Sequence, residues 1–140
     1  MPVPDRPVSY RKPQSAQAPR RQPDPAAIGR VAALLEAGGE APRDELAEAA
    51  RAVTAELAAR HPGHTIEVRL PPFAACQVGA LGGEGPAHRR GTPPNVVEMP
   101  PATAVRLAAN HLTWAEALAS GQVQHSGAHA ADVATMFPLV

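Results

Sequence analysis

Two apolar periodicities follow one another along the chain, and their order constrains the fold. Ile28, Val31 and Leu35 recur with helical spacing, whereas apolar and polar residues alternate strictly over Thr65–Leu70. The first spacing is typical of an amphipathic helix and the second of a strand with one buried face. Because the predicted strands cluster instead of alternating with helices, we expect an α+β fold with an antiparallel or mixed sheet of four or five strands and helices on one face.

Prolines, glycines and capping residues bound the predicted elements. Pro25 begins the first helix, Pro42 begins the second, and Thr113 with Glu116 forms a capping box at the start of a later one. We predict helices at 24–38 and 42–61, strands at 65–70, 73–78, 87–90 and 95–99, helices at 102–110 and 113–121, a strand at 122–126 and a last helix at 130–137.

Large apolar side chains are scarce, since Val, Ile, Leu and Phe number only 26 among 140 residues. Full disorder would also require a high net charge, and the formal net charge here is zero. Residues 1–23 hold six prolines and a net charge of +4. We therefore predict a disordered, basic, proline-rich tail over 1–23 and a single domain over 24–140, with 24–41 as an N-terminal helical extension.

Several protein classes are excluded by the sequence. No apolar run approaches the ~20 residues that cross a bilayer, and the N-terminus lacks the apolar stretch of a secretion signal. We therefore expect a cytoplasmic protein without an integral membrane segment. Tyr10 stands alone in the basic tail, which offers no aromatic series for stacking on bases, so no nucleic-acid partner is predicted.

The residues with reactive or metal-binding side chains do not form a recognisable catalytic pattern. Cys76 lies in a predicted strand, where we expect it to pack as a small hydrophobic residue. His125 and His129 straddle Gly127 and a predicted turn, so they do not share one helical face. Gly82–Gly85 lacks the lysine and the following helix of a phosphate-binding loop. We expect a protein that is not an enzyme and that has no cofactor, no metal and no catalytic residues.

Three segments carry a family resemblance. Ser120–Gly127 matches the pattern small residue–Gly–x–apolar–x–x–x–Gly before a closing helix, and Arg90–Glu98 reads Arg-Gly-Thr-Pro-Pro-Asn-Val-Val-Glu. Arg69–Ala75 reads Arg-Leu-Pro-Pro-Phe-Ala-Ala. Together these segments resemble a bacterial, largely actinobacterial branch of the sterol carrier protein family, over roughly residues 44–140.

The resemblance implies a five-stranded sheet with helices on one face and an apolar tunnel between the two layers. In lipid-carrying members the tunnel holds fatty-acyl or sterol ligands, which implies non-catalytic binding of a lipid or another apolar small molecule. Carried onto this chain, the implied tunnel lining is Phe73, Leu112, Trp114, Leu118, Val133, Met136 and Phe137.

Arg89 and Arg90 allow two interpretations. Their adjacent guanidinium groups would hold an anionic head group. Alternatively, the segment is structural, with the following prolines stiffening the chain and Glu98 pairing with an arginine of the same sheet.

An alternative function also follows from the resemblance. A related fold serves as an accessory domain in mycothiol-dependent maleylpyruvate isomerase-like enzymes, so fold alone does not determine the ligand. The chain would then be an accessory or protein-interaction domain with a solid core, partnering such an enzyme. A continuous interior cavity of a few hundred Å³ would favour ligand binding, and a solid core would favour the accessory role.

Overall fold

A computed structural model of the protein describes residues 21–82 and 94–140. Its elements are α1 (Ala26–Glu36), α2 (Arg43–Arg60), β1 (Ile66–Leu70), β2 (Ala74–Val78), β3 (Val96–Glu98), α3 (Pro101–Ala108), α4 (Trp114–Ala119), β4 (Gln124–Ser126) and a C-terminal 3₁₀ helix (Ala130–Met136). The predicted α+β class is confirmed. None of the helices in these two ranges is both long enough and apolar enough to span a bilayer.

The four strands of the described residues form one mixed sheet in the order β2-β1-β3-β4. β1 pairs antiparallel with β2 and parallel with β3, and β3 pairs antiparallel with β4. Five strands were expected from the family resemblance, so the described part of the chain does not match that number. The segment 87–90, predicted as the additional strand, lies outside the described residues, as does most of the predicted tail over 1–23.

The alternation in β1 gives the sheet two different faces. Ile66, Val68 and Leu70 are fully buried, and they belong to the same apolar core as buried residues of α1, α2 and α3. Glu67 and Arg69 point to the opposite face, where they are half-buried and form an ion pair of 2.7 Å. We call this second surface the polar face of the sheet.

Helix α1 packs against α2 and α3 through a face of small and medium-sized side chains. Ala27, Ile28, Val31 and Ala32 are buried in that contact. The Asp24 carboxylate accepts a hydrogen bond from the backbone N–H of Ala26 at 3.0 Å, which satisfies one donor at the helix start. The predicted helix is therefore confirmed, but it begins at Ala26, with Pro25 at the N-cap instead of at the first helical position.

The capping box that begins α4 is present as predicted. The Thr113 hydroxyl accepts from the Glu116 backbone N–H at 3.1 Å, and the Glu116 carboxylate accepts from the Thr113 backbone N–H at 2.9 Å. These reciprocal bonds satisfy two donors of a helix only six residues long. The box thus stabilises the start of a helix too short to be stable by itself.

The last predicted helix is a 3₁₀ helix instead of an α-helix. It covers Ala130–Met136, and Phe137 that follows is extended, with φ −104° and ψ 152°. Pro138 accounts for the extended residue, because a proline disfavours the helical conformation of the residue before it. A seven-residue segment that ends in this way has little room for α-helical hydrogen bonds and takes the tighter i to i+3 pattern.

Candidate functional site

The C-terminal segment inserts apolar side chains into the core, and we call residues 130–139 the C-terminal cover. Val133 is fully buried, and Met136 and Leu139 are each only 4% exposed. All three belong to the single core shared by the sheet and the helices. The cover therefore occupies apolar space that the remaining elements enclose.

Hydrogen bonds attach the cover to the rest of the described chain near its two ends. The backbone N–H groups of Leu139 and Val140 both donate to the carbonyl oxygen of Ala108, at 2.8 and 3.1 Å. Towards the other end, the Leu81 backbone N–H donates to the Asp132 carboxylate at 3.0 Å. The apolar middle of the cover is thus held chiefly by packing, which is not directional.

Six of the seven predicted lining residues contact the core. Val133 and Met136 are buried in it, while Leu112, Trp114 and Phe137 are partly buried against it. The structure thus places these five residues in or against one apolar interior, where they are packed with other side chains.

The remaining predicted residues are Phe73, which is the sixth in contact with the core, Leu118 and the two arginines. Phe73 is partly buried against the core, and the Arg43 guanidinium stacks 4.9 Å from its ring centre. Leu118 lies on the surface of α4 and is 37% exposed. Arg89 and Arg90, the proposed head-group contacts, lie outside the described residues.

Grooves open on the polar face of the sheet and at its edge. One of about 450 Å³ is lined by Pro71, Glu98, Met99, Pro100, Pro101, Gly121, Gln122 and Gln124. A neighbour of about 420 Å³ shares Pro71 and Glu98 with it and is also lined by Phe73. Both volumes lie in the range of small-molecule sites, roughly 300–1,000 Å³. Met99 and Gln122 did not appear among the predicted site residues, although the doubled proline at 100–101 marks the same loop.

A buried hydroxyl supports the first of these grooves. The Thr103 hydroxyl of α3 donates to the Gln122 side-chain oxygen at 2.7 Å, and the Gln122 amide donates to the Ser120 hydroxyl at 2.7 Å. The Gln122 side chain therefore has partners on both of its polar atoms. This network holds the turn between α4 and β4 against α3.

Cys76 has the properties of a packed thiol. Its side chain is half-buried in β2, and burial, with a smaller contribution from the Glu67 charge, raises the pKa of the thiol to about 12. A nucleophilic cysteine requires the opposite shift, because the thiolate is the reactive form. The environment of Cys76 therefore suits a small hydrophobic residue better than a nucleophile.

Three of the histidines that the structure describes, His64, His111 and His129, each lie beside one carboxylate or amide oxygen. His129 Nδ1 lies 3.5 Å from an Asp132 carboxylate oxygen, and His64 Nδ1 lies 2.8 Å from the Gln77 side-chain oxygen. Within residues 21–82 and 94–140, no group of three or more His, Cys, Asp or Glu side chains comes together as a metal site would require.

Comparison with known proteins gives one family. The family model described as bacterial SCP ortholog matches residues 42–139. A search of curated proteins finds no match to this chain. The matched range contains α2 and all the later described elements, and it leaves α1 outside. The chain therefore belongs to the bacterial SCP ortholog family, within the sterol carrier protein-like proteins.

Proposed function

We propose that the protein is a non-catalytic binding protein for a lipid or another apolar small molecule. Family membership supports a lipid-binding domain in general terms. The observation that carries the proposal for this chain is the C-terminal cover, which places Val133, Met136 and Leu139 in the core while its hydrogen bonds to other elements lie near its ends. The protein would act in the cytoplasm, as the sequence predicts.

The cover is the element that would move to admit the ligand. A 3₁₀ helix has poorer hydrogen-bond geometry than an α-helix, so its opening costs less. An acyl chain that replaced the side chains of Val133, Met136 and Leu139 would restore the apolar contacts that opening removes. Each buried methylene contributes about 0.8 kcal/mol in either arrangement. Burial of the acyl chain would therefore offset part of the free energy that opening of the cover costs.

Binding can be followed through the single tryptophan of the chain. Trp114 is partly buried against the core, so displacement of the cover would change its surroundings. We expect a saturable change in Trp114 fluorescence when delipidated protein is titrated with a fatty acid, an acyl-CoA or a sterol. Native mass spectrometry should then detect a complex with one of them.

Two variants test the role of the cover. Met136→Ala removes a buried side chain from the cover and should tighten ligand binding, because less packing is lost on opening. Leu34→Ala removes an exposed side chain of similar size from α1, outside the predicted lining, and should leave binding unchanged. The proposal is wrong if no apolar ligand changes the fluorescence saturably and none is retained in native mass spectrometry.

The accessory role is the second candidate, and the filling of the core favours it. Val133 and Met136 pack with side chains from the sheet and the helices, as in a solid interior. The partner would be a separate protein, with a mycothiol-dependent enzyme as the choice that the family resemblance implies. Specific recovery of such an enzyme in a pull-down, together with no retained apolar ligand, would support this role over the first.

A further inference from the structure

Arg106 differs from the other arginines that the structure describes. Five of them lie between 2.7 and 3.6 Å from a carboxylate oxygen, namely Arg21, Arg30, Arg51, Arg60 and Arg69. A sixth, Arg43, stacks on an aromatic ring. Among residues 21–82 and 94–140, Arg106 has neither kind of partner, and its Nε is buried without a hydrogen bond.

The neighbours of Arg106 do not compensate for this buried donor. Arg106 lies in the last turn of α3, where the helix dipole favours a positive charge without supplying an acceptor to Nε. The pKa of Glu116 is lowered mainly by its hydrogen bonds with Thr113 and also by the charge of Arg106. The Glu116 carboxylate, however, is engaged with the Thr113 backbone N–H. A buried guanidinium N–H without an acceptor is unfavourable. The Arg106 side chain is therefore suited to a ligand that brings a hydrogen-bond acceptor.

Arg106 is close in the chain to the point where the cover is attached. The Ala108 carbonyl oxygen, two residues later, accepts the backbone N–H groups of Leu139 and Val140. Two residues of α-helix span about 3 Å along the helix axis. Side chains two positions apart on a helix point in different directions, so what the cover shares with Arg106 at this attachment is the backbone of the last turn of α3.

We propose that Arg106 binds the carboxylate of an apolar acid, such as a fatty acid, whose chain takes the place of the cover. The inference rests on the proposed function, since it names the polar end of the same ligand. A guanidinium binds a carboxylate through two parallel N–H···O bonds, and Nε–H is one donor of such a pair. The ligand thus supplies the acceptor that the described residues do not provide to Arg106.

The test compares a fatty acid with the fatty alcohol of the same chain length, at about pH 8, where a carboxylate is ionised. We expect the unmodified protein to bind the acid about tenfold more tightly than the alcohol, because only the acid forms charge-assisted bonds. Arg106→Gln should lower the affinity for the acid to that for the alcohol and leave the alcohol unchanged. Arg51→Gln, which alters an exposed, ion-paired arginine of α2, is the control and should change neither.

Each outcome separates this inference from the proposed function. Equal binding of acid and alcohol by the unmodified protein overturns the inference and leaves the proposed function standing. Equal weakening of both ligands in Arg106→Gln also overturns it, since Arg106 would then be structural. If neither ligand binds, both proposals fail. Arg106→Lys keeps the positive charge but not the paired N–H donors of the guanidinium, so it should retain part of the preference for the acid. It provides a second variant if Arg106→Gln does not fold.

Discussion

The Asn95 side-chain amide donates a hydrogen bond to the backbone carbonyl oxygen of Thr65 across 3.0 Å. The oxygen of the same amide accepts the backbone N–H of His129 at 2.9 Å. Asn95 is only 3% exposed; its bond to Thr65 is buried and its bond to His129 is partly buried. One side chain therefore joins the segments before β1 and β3 to the start of the C-terminal 3₁₀ helix.

Replacement of Asn95 should destabilise the whole domain. Asn95→Ala removes both bonds and leaves the Thr65 carbonyl and the His129 N–H without these partners. We expect the free energy of unfolding to fall by about 2 kcal/mol, since a buried group without a partner costs roughly 1–3 kcal/mol. Urea denaturation measures the change. Gln124→Ala, on the exposed strand β4, is the control, and a similar small effect in both variants would contradict the assigned role of Asn95.

Gly127 is predicted to tolerate no side chain, for two separate reasons. Its φ is +100°, and an added Cβ would overlap the Asn95 side chain and the Pro94 carbonyl oxygen. Gly121 has a φ of +76° but no atom within 4 Å of an added Cβ, so it isolates the backbone effect. Gly121→Ala should cost about 1–2 kcal/mol, and Gly127→Ala should cost clearly more. Equal losses of stability in urea denaturation would show that the overlap with Asn95 and Pro94 is relieved.

This pair of glycines shows how far sequence patterns could predict the structure. Caps and prolines act on their own neighbours, so the starts of α1 and α2 next to Pro25 and Pro42 were predictable to within about a residue, as was the Thr113 capping box. The Gly-x-Val-x-x-x-Gly pattern was recognisable too, but the reason for Gly127 lies in a contact with Asn95, 32 positions earlier. Parallel pairing of β1 with β3 depends on similarly distant contacts.

In the candidate site, too, local sequence patterns predict some features, whereas others depend on contacts between distant parts of the chain. Met136 and Leu118 are both apolar and were both assigned to the lining by family resemblance, yet one is buried and the other is exposed. Periodicity identifies an apolar side chain, whereas burial depends on which elements pack over it. The unpaired Nε of Arg106 was beyond prediction for a related reason, because a missing partner becomes visible only once the neighbours are in place.

Cys76 should be almost unreactive in the folded protein. Its raised pKa, about 12, leaves very little thiolate at neutral pH, and alkylating reagents attack the thiolate. We expect slow alkylation by iodoacetamide at about pH 8 in buffer and rapid alkylation once the protein is unfolded in urea. Mass spectrometry gives both rates, and comparable rates in the two conditions would contradict a packed thiol.

The same shift predicts a loss of stability at high pH. The fold holds the thiol neutral with a pKa of about 12, against an ordinary value of 9.0, so the unfolded chain loses its proton first as pH rises. The contribution of Cys76 to stability is therefore complete below about pH 9 and falls between pH 9 and 12. Cys76→Ala should flatten the decline in the free energy of unfolding over this range. Parallel profiles for the two proteins would argue against the raised pKa.

Helix α1 provides a test of the predicted single domain over 24–140, because it lies outside the range matched by the family model. Ile28 is fully buried against the core, whereas Leu34, on the same helix, is 38% exposed. If α1 unfolds together with the family core, Ile28→Ala should lower the free energy of unfolding by about 2–5 kcal/mol. Leu34→Ala should change it by no more than about 0.5 kcal/mol. Were α1 a separately attached extension, Ile28→Ala would leave the main urea transition where it is in the unmodified protein, and the single-domain prediction would be wrong.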